Sequence, residues 1–168
     1  MAEFVPYNDE KYGKQFFDLN VEYLNYIQEI ARKALGTTSH PKDYRPYVER
    51  VLPQFTAIKP PEGIILLLVS DDRVVGMGAV RKLEEGVGEI KRMYIKPELQ
   101  GRGFGREMMA KLEATARDLG YSTLRLDTAW FLEAAVHVYR KAGFIERDKY
   151  PGTESEGDSN YIYMEKKL

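Results

Sequence analysis

Cysteine is absent from the chain, which excludes disulfides, thiolate metal sites and a cysteine nucleophile together. Long apolar runs are absent too. The longest buried-looking stretch, Ile64 to Val69, is far too short to cross a bilayer. The opening residues M-A-E-F-V-P-Y-N carry no basic segment and no apolar core of a signal peptide. An excess of one charge is likewise lacking: 25 Lys and Arg stand against 26 Asp and Glu, for a net charge of −1 and a pI near 6.2. Nothing in that balance pulls the chain toward nucleic acid. Histidine occurs only as His40 and His137, which have no partner at metal-ligand spacing, so no metal is expected. Internal repeats, linkers and low-complexity tracts are missing. The expectation is one soluble, cytoplasmic domain with no membrane or nucleic-acid partner. Its 168 residues, 43% of them hydrophobic, are enough to bury a core.

What is present organises itself around Glu89 to Arg106, E-I-K-R-M-Y-I-K-P-E-L-Q-G-R-G-F-G-R. Ile90, Met93, Tyr94 and Ile95 read as a strand that Pro97 stops. Gly101, Gly103 and Gly105 then alternate with Arg102, Phe104 and Arg106. From Phe104 the apolar residues Met108, Leu112, Ala116 and Leu119 follow at steps of four, four, four and three, which is one stripe of a helix that Gly120 ends. The glycines thus form a turn between a strand and a helix N-terminus. Free N–H groups there favour an anion, and Arg102 and Arg106 add charge-assisted bonds to phosphate oxygens. The stretch predicts a diphosphate seat.

Around it the pattern alternates. Glu3 to Tyr7 reads as a short strand, with Asn8 and Asp9 capping a helix to Leu35 whose stripe is Phe16, Leu19, Tyr23, Ile27, Ile30 and Ala34. Gly36 stops it, and 37–41 reads as a loop. Tyr44, Tyr47, Val48, Val51, Leu52 and Phe55 predict a second helix, broken at Pro53. Strands at Ile64–Ser70 and Val74–Lys82 form a hairpin about Asp71 and Asp72, and Glu84-Glu85-Gly86 turns into the central strand. Ser122 to Asp127 predicts a strand parallel to Glu89–Lys96, since a helix crosses between them. Phe131, Ala135, Val138 and Ala142 mark a further helix, and Phe144–Asp148 and Tyr161–Met164 two last strands that can pair. The fold class expected is α/β (α+β): a mixed, mostly antiparallel sheet of about seven strands with helices on both faces.

Three phosphate-binding patterns compete for the glycine turn. A P-loop requires Lys-Ser or Lys-Thr after the glycines, and neither follows. A dinucleotide fingerprint requires a third glycine where Arg106 stands, although Asp127 lies about where its ribose-binding acid would be. The third pattern, Gln100-x-x-Gly103-x-Gly105, resembles the Arg/Gln-x-x-Gly-x-Gly/Ala signature of the GCN5-related N-acetyltransferases (GNAT). E-I-K-R-M-Y-I before it and Val138-Tyr139-Arg140-Lys141-Ala142-Gly143-Phe144 after it are similar to that family in the same order. The resemblance covers about 64–145 well and both ends poorly.

That resemblance implies an acetyl-CoA-dependent N-acetyltransferase acting by direct attack of a primary amine in a ternary complex. It implies that Gln100, Gly101, Arg102, Gly103, Phe104, Gly105 and Arg106 hold the diphosphate, with the backbone of Met93, Tyr94 and Ile95 as partner to the pantetheine arm. Glu89 matches the family's frequent catalytic base and Tyr139 its general acid. Leu132 stands where many members carry a coenzyme-contacting Asn. Residues 1–60 would form a helical acceptor-side region, 64–148 the coenzyme core and 149–168 a loop and final strand. The acceptor would be a small-molecule or peptide amine. Tyr12, Tyr23, Tyr26, Tyr44 and Tyr47, with Glu154, Glu156 and Asp158, suggest a cationic amine such as a polyamine or amino sugar. A homodimer, a non-catalytic acyl-CoA-binding module and a dinucleotide-binding oxidoreductase stay open as alternatives.

Overall fold

The computed structural model describes residues 1–36 and 40–168, so positions 37 to 39 of the expected loop lie outside the described residues. The elements are β1 (Ala2–Pro6), α1 (Asp9–Leu35), α2 (Arg45–Thr56), β2 (Ile64–Ser70), β3 (Arg73–Glu84), β4 (Val87–Ile95), α3 (Phe104–Asp118), β5 (Thr123–Ala129), α4 (Glu133–Lys141), β6 (Ile145–Arg147) and β7 (Tyr161–Lys167). They form one seven-stranded sheet of order β1-β2-β3-β4-β5-β7-β6. Every neighbouring pair is antiparallel except β4–β5, which α3 crosses between. The final two strands pair as expected, and β7 also inserts beside β5, leaving β6 at the edge.

Local chemistry explains the ends of α1. The Asn8 side chain accepts from the Lys11 N–H at 2.9 Å, and Gly36 closes the helix at φ 79°. The break expected at Pro53 does not occur: α2 runs through it. Pro53 removes one backbone bond, but the helix is held on both sides of it: Val48 packs against Val21 of α1 and Phe55 against the sheet residues Ile65 and Leu67.

The apolar run of β2 divides between two cores. Ile65, Leu67 and Val69 pack with Tyr12, Phe16, Leu19 and Phe55 on the α1–α2 side. Leu66 and Leu68 pack with Met108, Met109, Leu112 and Ala116 of α3 on the other. A strand covered on both faces shows no polar alternation, which is why it reads as continuous. Fully buried residues such as Leu67 and Leu68 each contribute about 2 kcal/mol relative to exposure.

Two irregularities in the middle of the sheet position the site. β4 and β5 pair only at Val87–Thr123, Gly88–Leu124 and Glu89–Arg125. Beyond Glu89 they separate: β4 continues against β3 and β5 against β7, so the sheet opens as a fork. The second is a bulge. Met77 pairs with Tyr94 and Ala79 with Lys91, so Arg92 and Met93 together oppose the single residue Gly78, with Arg92 at φ 52°.

Candidate functional site

A cleft of about 1350 Å³ fills the fork. One end is made of backbone. Gly101 and Gly103 have φ of 76° and 89°, a region where side chains are strained, and both leave room where a Cβ would point. α3 starts with no side-chain cap, and the first N–H to bond back is that of Glu107, to Gly103 O at 3.0 Å. The amides of Phe104, Gly105 and Arg106 precede it and have no acceptor within the helix. Gln100 fastens the turn to β4, its Nε2 donating to Ile95 O at 2.8 Å. Arg102 and Arg106 line the same end. Of the residues expected to hold a coenzyme, Met93, Tyr94, Ile95, Gln100, Gly101, Arg102, Gly103, Gly105 and Arg106 line the cleft, whereas Phe104 packs against the core beneath α3.

Glu89 sits at the apex of the fork and is fully buried. Its Oε1 accepts from Arg81 Nε at 3.0 Å and lies 2.9 Å from the second guanidinium nitrogen, with Lys91 Nζ at 3.6 Å. It stands behind the cleft wall that Ile90 and Lys91 form, not on it. Its Oε2 and the Tyr150 hydroxyl both lack a hydrogen-bond partner among the described residues, and burial together with the Glu89 charge pushes the Tyr150 phenol up. Tyr139, in contrast, lines the cleft directly. It is 6% exposed, and burial first, then the Asp127 charge, pushes its phenol well above the ordinary range. A phenol so placed keeps its proton at neutral pH, as a proton donor must. Leu132, before α4, also lines the cleft and supplies an apolar wall where an Asn would supply an amide.

The other end is made of side chains. Lys91 Nζ, 6% exposed, lies 3.7 Å from Asp127 Oδ1 across the fork and 3.7 Å from Glu154 Oε2. Arg92 is held by the buried Asn20 of α1, and its guanidinium sits 4.4 Å from the Phe55 ring centroid. Asp127 Oδ2 accepts from Thr153 and Ser155, which ties the loop between β6 and β7 to β5. Glu154, Glu156 and Asp158 of that loop line the cleft, with Tyr23, Tyr26, Tyr47 and Tyr161. Burial, then Asp127, pushes the Tyr161 phenol up to about 12. Tyr12 and Tyr44, also expected here, belong to the core instead: Tyr12 packs with Phe16, and the Tyr44 hydroxyl bonds His40 Nδ1 at 3.0 Å. Tyr12 faces the sheet from α1, and Tyr44, just before α2, packs with Val21 of α1 and Val48; both are buried.

Asn20 carries no role in the sequence pattern, Lys91 and Arg92 read there only as possible ion-pair partners of Glu89, and Asp127 as a strand-end residue or the acid of a dinucleotide site. One signal was available. Asn20 interrupts the apolar stripe of α1 next to Phe16, Leu19 and Tyr23, and a polar residue there needs a buried partner.

Residues 24–144 match the acetyltransferase (GNAT) family. A protein named IAA acetyltransferase from Azospirillum brasilense is 38% identical over 96 residues, 56% of this chain and 61% of that protein. The matches to the first four curated relatives span between 37% and 61% of their length. Among solved structures, an acetyltransferase from Streptococcus agalactiae is similar at TM-score 0.76 and 20% identity, over 99% of this chain and 98% of that one. The PaiA N-acetyltransferase of Thermoplasma acidophilum in complex with coenzyme A is similar at TM-score 0.69 and 17% identity, over 100% and 99%. At these identities the two structures share the fold.

Proposed function

This chain belongs to the acetyltransferase (GNAT) family, and from that premise we propose that it transfers an acetyl group from acetyl-CoA to a primary amine by direct attack in a ternary complex. The observation that carries the reading is the fork. Where β4 leaves β5, its edge is free to pair with an extended amide-bearing chain, and that edge leads straight to the uncapped N-terminus of α3.

The residues present fit acetyl-CoA as co-substrate. The amides at the start of α3 and the guanidinium groups of Arg102 and Arg106 take the diphosphate. The backbone of Met93, Tyr94 and Ile95 takes the pantetheine arm, and an N–H of this strand stabilises charge developing on the thioester oxygen. An alkyl amine is protonated near pH 7 and must lose a proton to attack. Glu89 receives it through water, because its side chain stands behind the cleft wall. The C–N bond forms as the C–S bond breaks, Tyr139 protonates the departing thiolate, and the second proton shed by the nitrogen as it becomes an amide restores the Tyr139 phenol. The amine enters from the α1, α2 and β6–β7 loop end.

The test is thiol release on mixing the protein with acetyl-CoA and a panel of primary amines. The absence of cysteine removes protein background. Amine-dependent release with intersecting initial-rate plots is expected. Thermal stabilisation by acetyl-CoA with no amine-dependent release would overturn transfer and favour a binding module.

A further inference from the structure

The acceptor end holds two buried cations whose shared partner is borrowed from a loop. Lys91 and Arg92 are 6% and 9% exposed, yet both line the cleft. Burying cations is costly unless they are closely paired, and here the pairing is loose. Lys91 Nζ has carboxylate oxygens at 3.6, 3.7 and 3.7 Å, from Glu89, Asp127 and Glu154, none within direct hydrogen-bond distance. Arg92 reaches Glu154 Oε1 only at 3.9 Å. Of these carboxylates, Glu89 accepts from Arg81 through Oε1 and Asp127 from Thr153 and Ser155 through Oδ2. Glu154 alone accepts no hydrogen bond among the described residues. Its two oxygens face Lys91 and Arg92 separately, and its side chain is half exposed on a polar loop.

Arg92 is also expensively aimed. It occupies the left-handed region at φ 52° in a bulge, a conformation that costs a non-glycine residue energy. Asn20, fully buried, accepts from one of its nitrogens, and Asn20 Nδ2 is itself fixed to Phe16 O at 2.8 Å. Phe55 of α2 backs the guanidinium plane. Three elements therefore orient one guanidinium whose remaining donors open on the cleft. Such a fork matches a carboxylate.

We propose that Lys91 and Arg92 form a carboxylate subsite, that Glu154 occupies it as a tethered stand-in, and that the acceptor is an amine bearing a carboxylate, such as an amino acid, which displaces Glu154. The inference rests on the acetyltransferase reading for the role of the bound amine, but the subsite itself is measurable without transfer. It replaces the polyamine-like acceptor suggested by the acidic loop, because Glu154 is spent on the two cations.

Binding is measured by calorimetry, without acetyl-CoA, for two matched pairs: L-lysine and cadaverine, and L-phenylalanine and phenethylamine. The carboxylate-bearing member of each pair is expected to bind roughly tenfold tighter, the value of one charge-assisted contact. Glu154→Gln should raise that ratio by at least about threefold, since the competitor is gone while its shape remains. Arg92→Gln should erase the preference and Arg92→Lys restore part of it; circular dichroism and acetyl-CoA binding show whether each variant is folded. Glu154→Gln, on an exposed loop, keeps the test decisive if Arg92 variants do not fold. Equal, reversed or undetectable binding within both pairs overturns the subsite, and cadaverine binding the tighter would return the acceptor to a polycation. Carboxylate preference without thiol release in the transfer assay would sink the acetyltransferase reading and leave the subsite standing. Thiol release without the preference would do the reverse.

Discussion

The two ends of the cleft are built from different materials. At the glycine turn the polar groups offered to the cleft are backbone amides, placed by left-handed glycines and a bare helix terminus. At the opposite end they are long side chains set among residues distant in sequence: Arg92 is held by Asn20, Lys91 lies 3.7 Å from Asp127, and the loop that carries Glu154 is tied to Asp127. A backbone site is indifferent to most neighbouring side chains and suits a ligand shared by a whole family. A side-chain site changes with single substitutions and suits the partner that differs between members. On the proposed function, the backbone end would take the co-substrate and the side-chain end the acceptor amine.

The contrast is broken most severely by Gly101→Val together with Gly103→Val. Placing β-branched residues at φ 76° and 89° costs about 1–2 kcal/mol each and tilts the amides away. Acetyl-CoA affinity is expected to fall by about 100-fold or more, read by calorimetry, while discrimination within the amine pairs stays unchanged. If that discrimination collapsed as well, the two ends would not be separable.

Tyr139→Phe sharpens the comparison at the junction. The ring remains against Phe144, at 6.3 Å between centroids, so folding should be little affected. The expected result is a kcat lower by about 100-fold with acetyl-CoA affinity nearly unchanged. An unaltered kcat would remove Tyr139 from the proton path.

Glu165 of β7 belongs to neither end and serves as the control on stability. Hydrogen bonds from Arg125, foremost, and Arg147, at 2.8 and 2.6 Å, hold its carboxyl down to about 2 against a reference of 4.5. Its folded pKa is the lower one, so its contribution is complete above about 4.5 and is lost as pH falls toward 2. Allowing for solvent screening, that loss is about 1–2 kcal/mol. Urea unfolding from pH 6 to 2.5 should show it, and Glu165→Gln should flatten that part of the profile. An unchanged slope in the variant would assign the acid sensitivity elsewhere.

The smallest effect is expected at Arg106→Gln: about a fivefold weaker hold on acetyl-CoA that fades as salt is raised, with no change in amine preference. Salt-independent weakening would mean Arg106 acts by packing.

The order and type of elements were readable because helix and strand periods are local. The α3 stripe, the Asn8 cap and the glycine turn each lie within a few consecutive residues. Pro53 misled because a local rule was overridden by the packing of Val48 and Phe55. At the site, each residue expected at the backbone end lines the cleft except Phe104, whose stripe position already placed it inward. Tyr12 and Tyr44 carry the same side chain as Tyr23, Tyr26 and Tyr47, and only their positions around the helix separate core from cleft. Lys91 and Arg92 looked like ordinary strand cations, since alternation along β4 gives no warning of a bulge that turns Arg92 toward α1.

By itself, then, the sequence determined the elements, their handed β4–α3–β5 connection and the anion-favouring turn, because steric limits on glycine, proline and apolar period act over short range. The tertiary structure alone decided where β4 parts from β5, that Glu89 lies behind the cleft paired with Arg81, and that Asn20, Lys91, Arg92, Asp127 and Glu154 meet. Except for Arg81 and Glu89, a cross-strand pair, those contacts join residues tens of positions apart, and they depend on how a twisted sheet divides under its helices, a property that no short window of the chain contains.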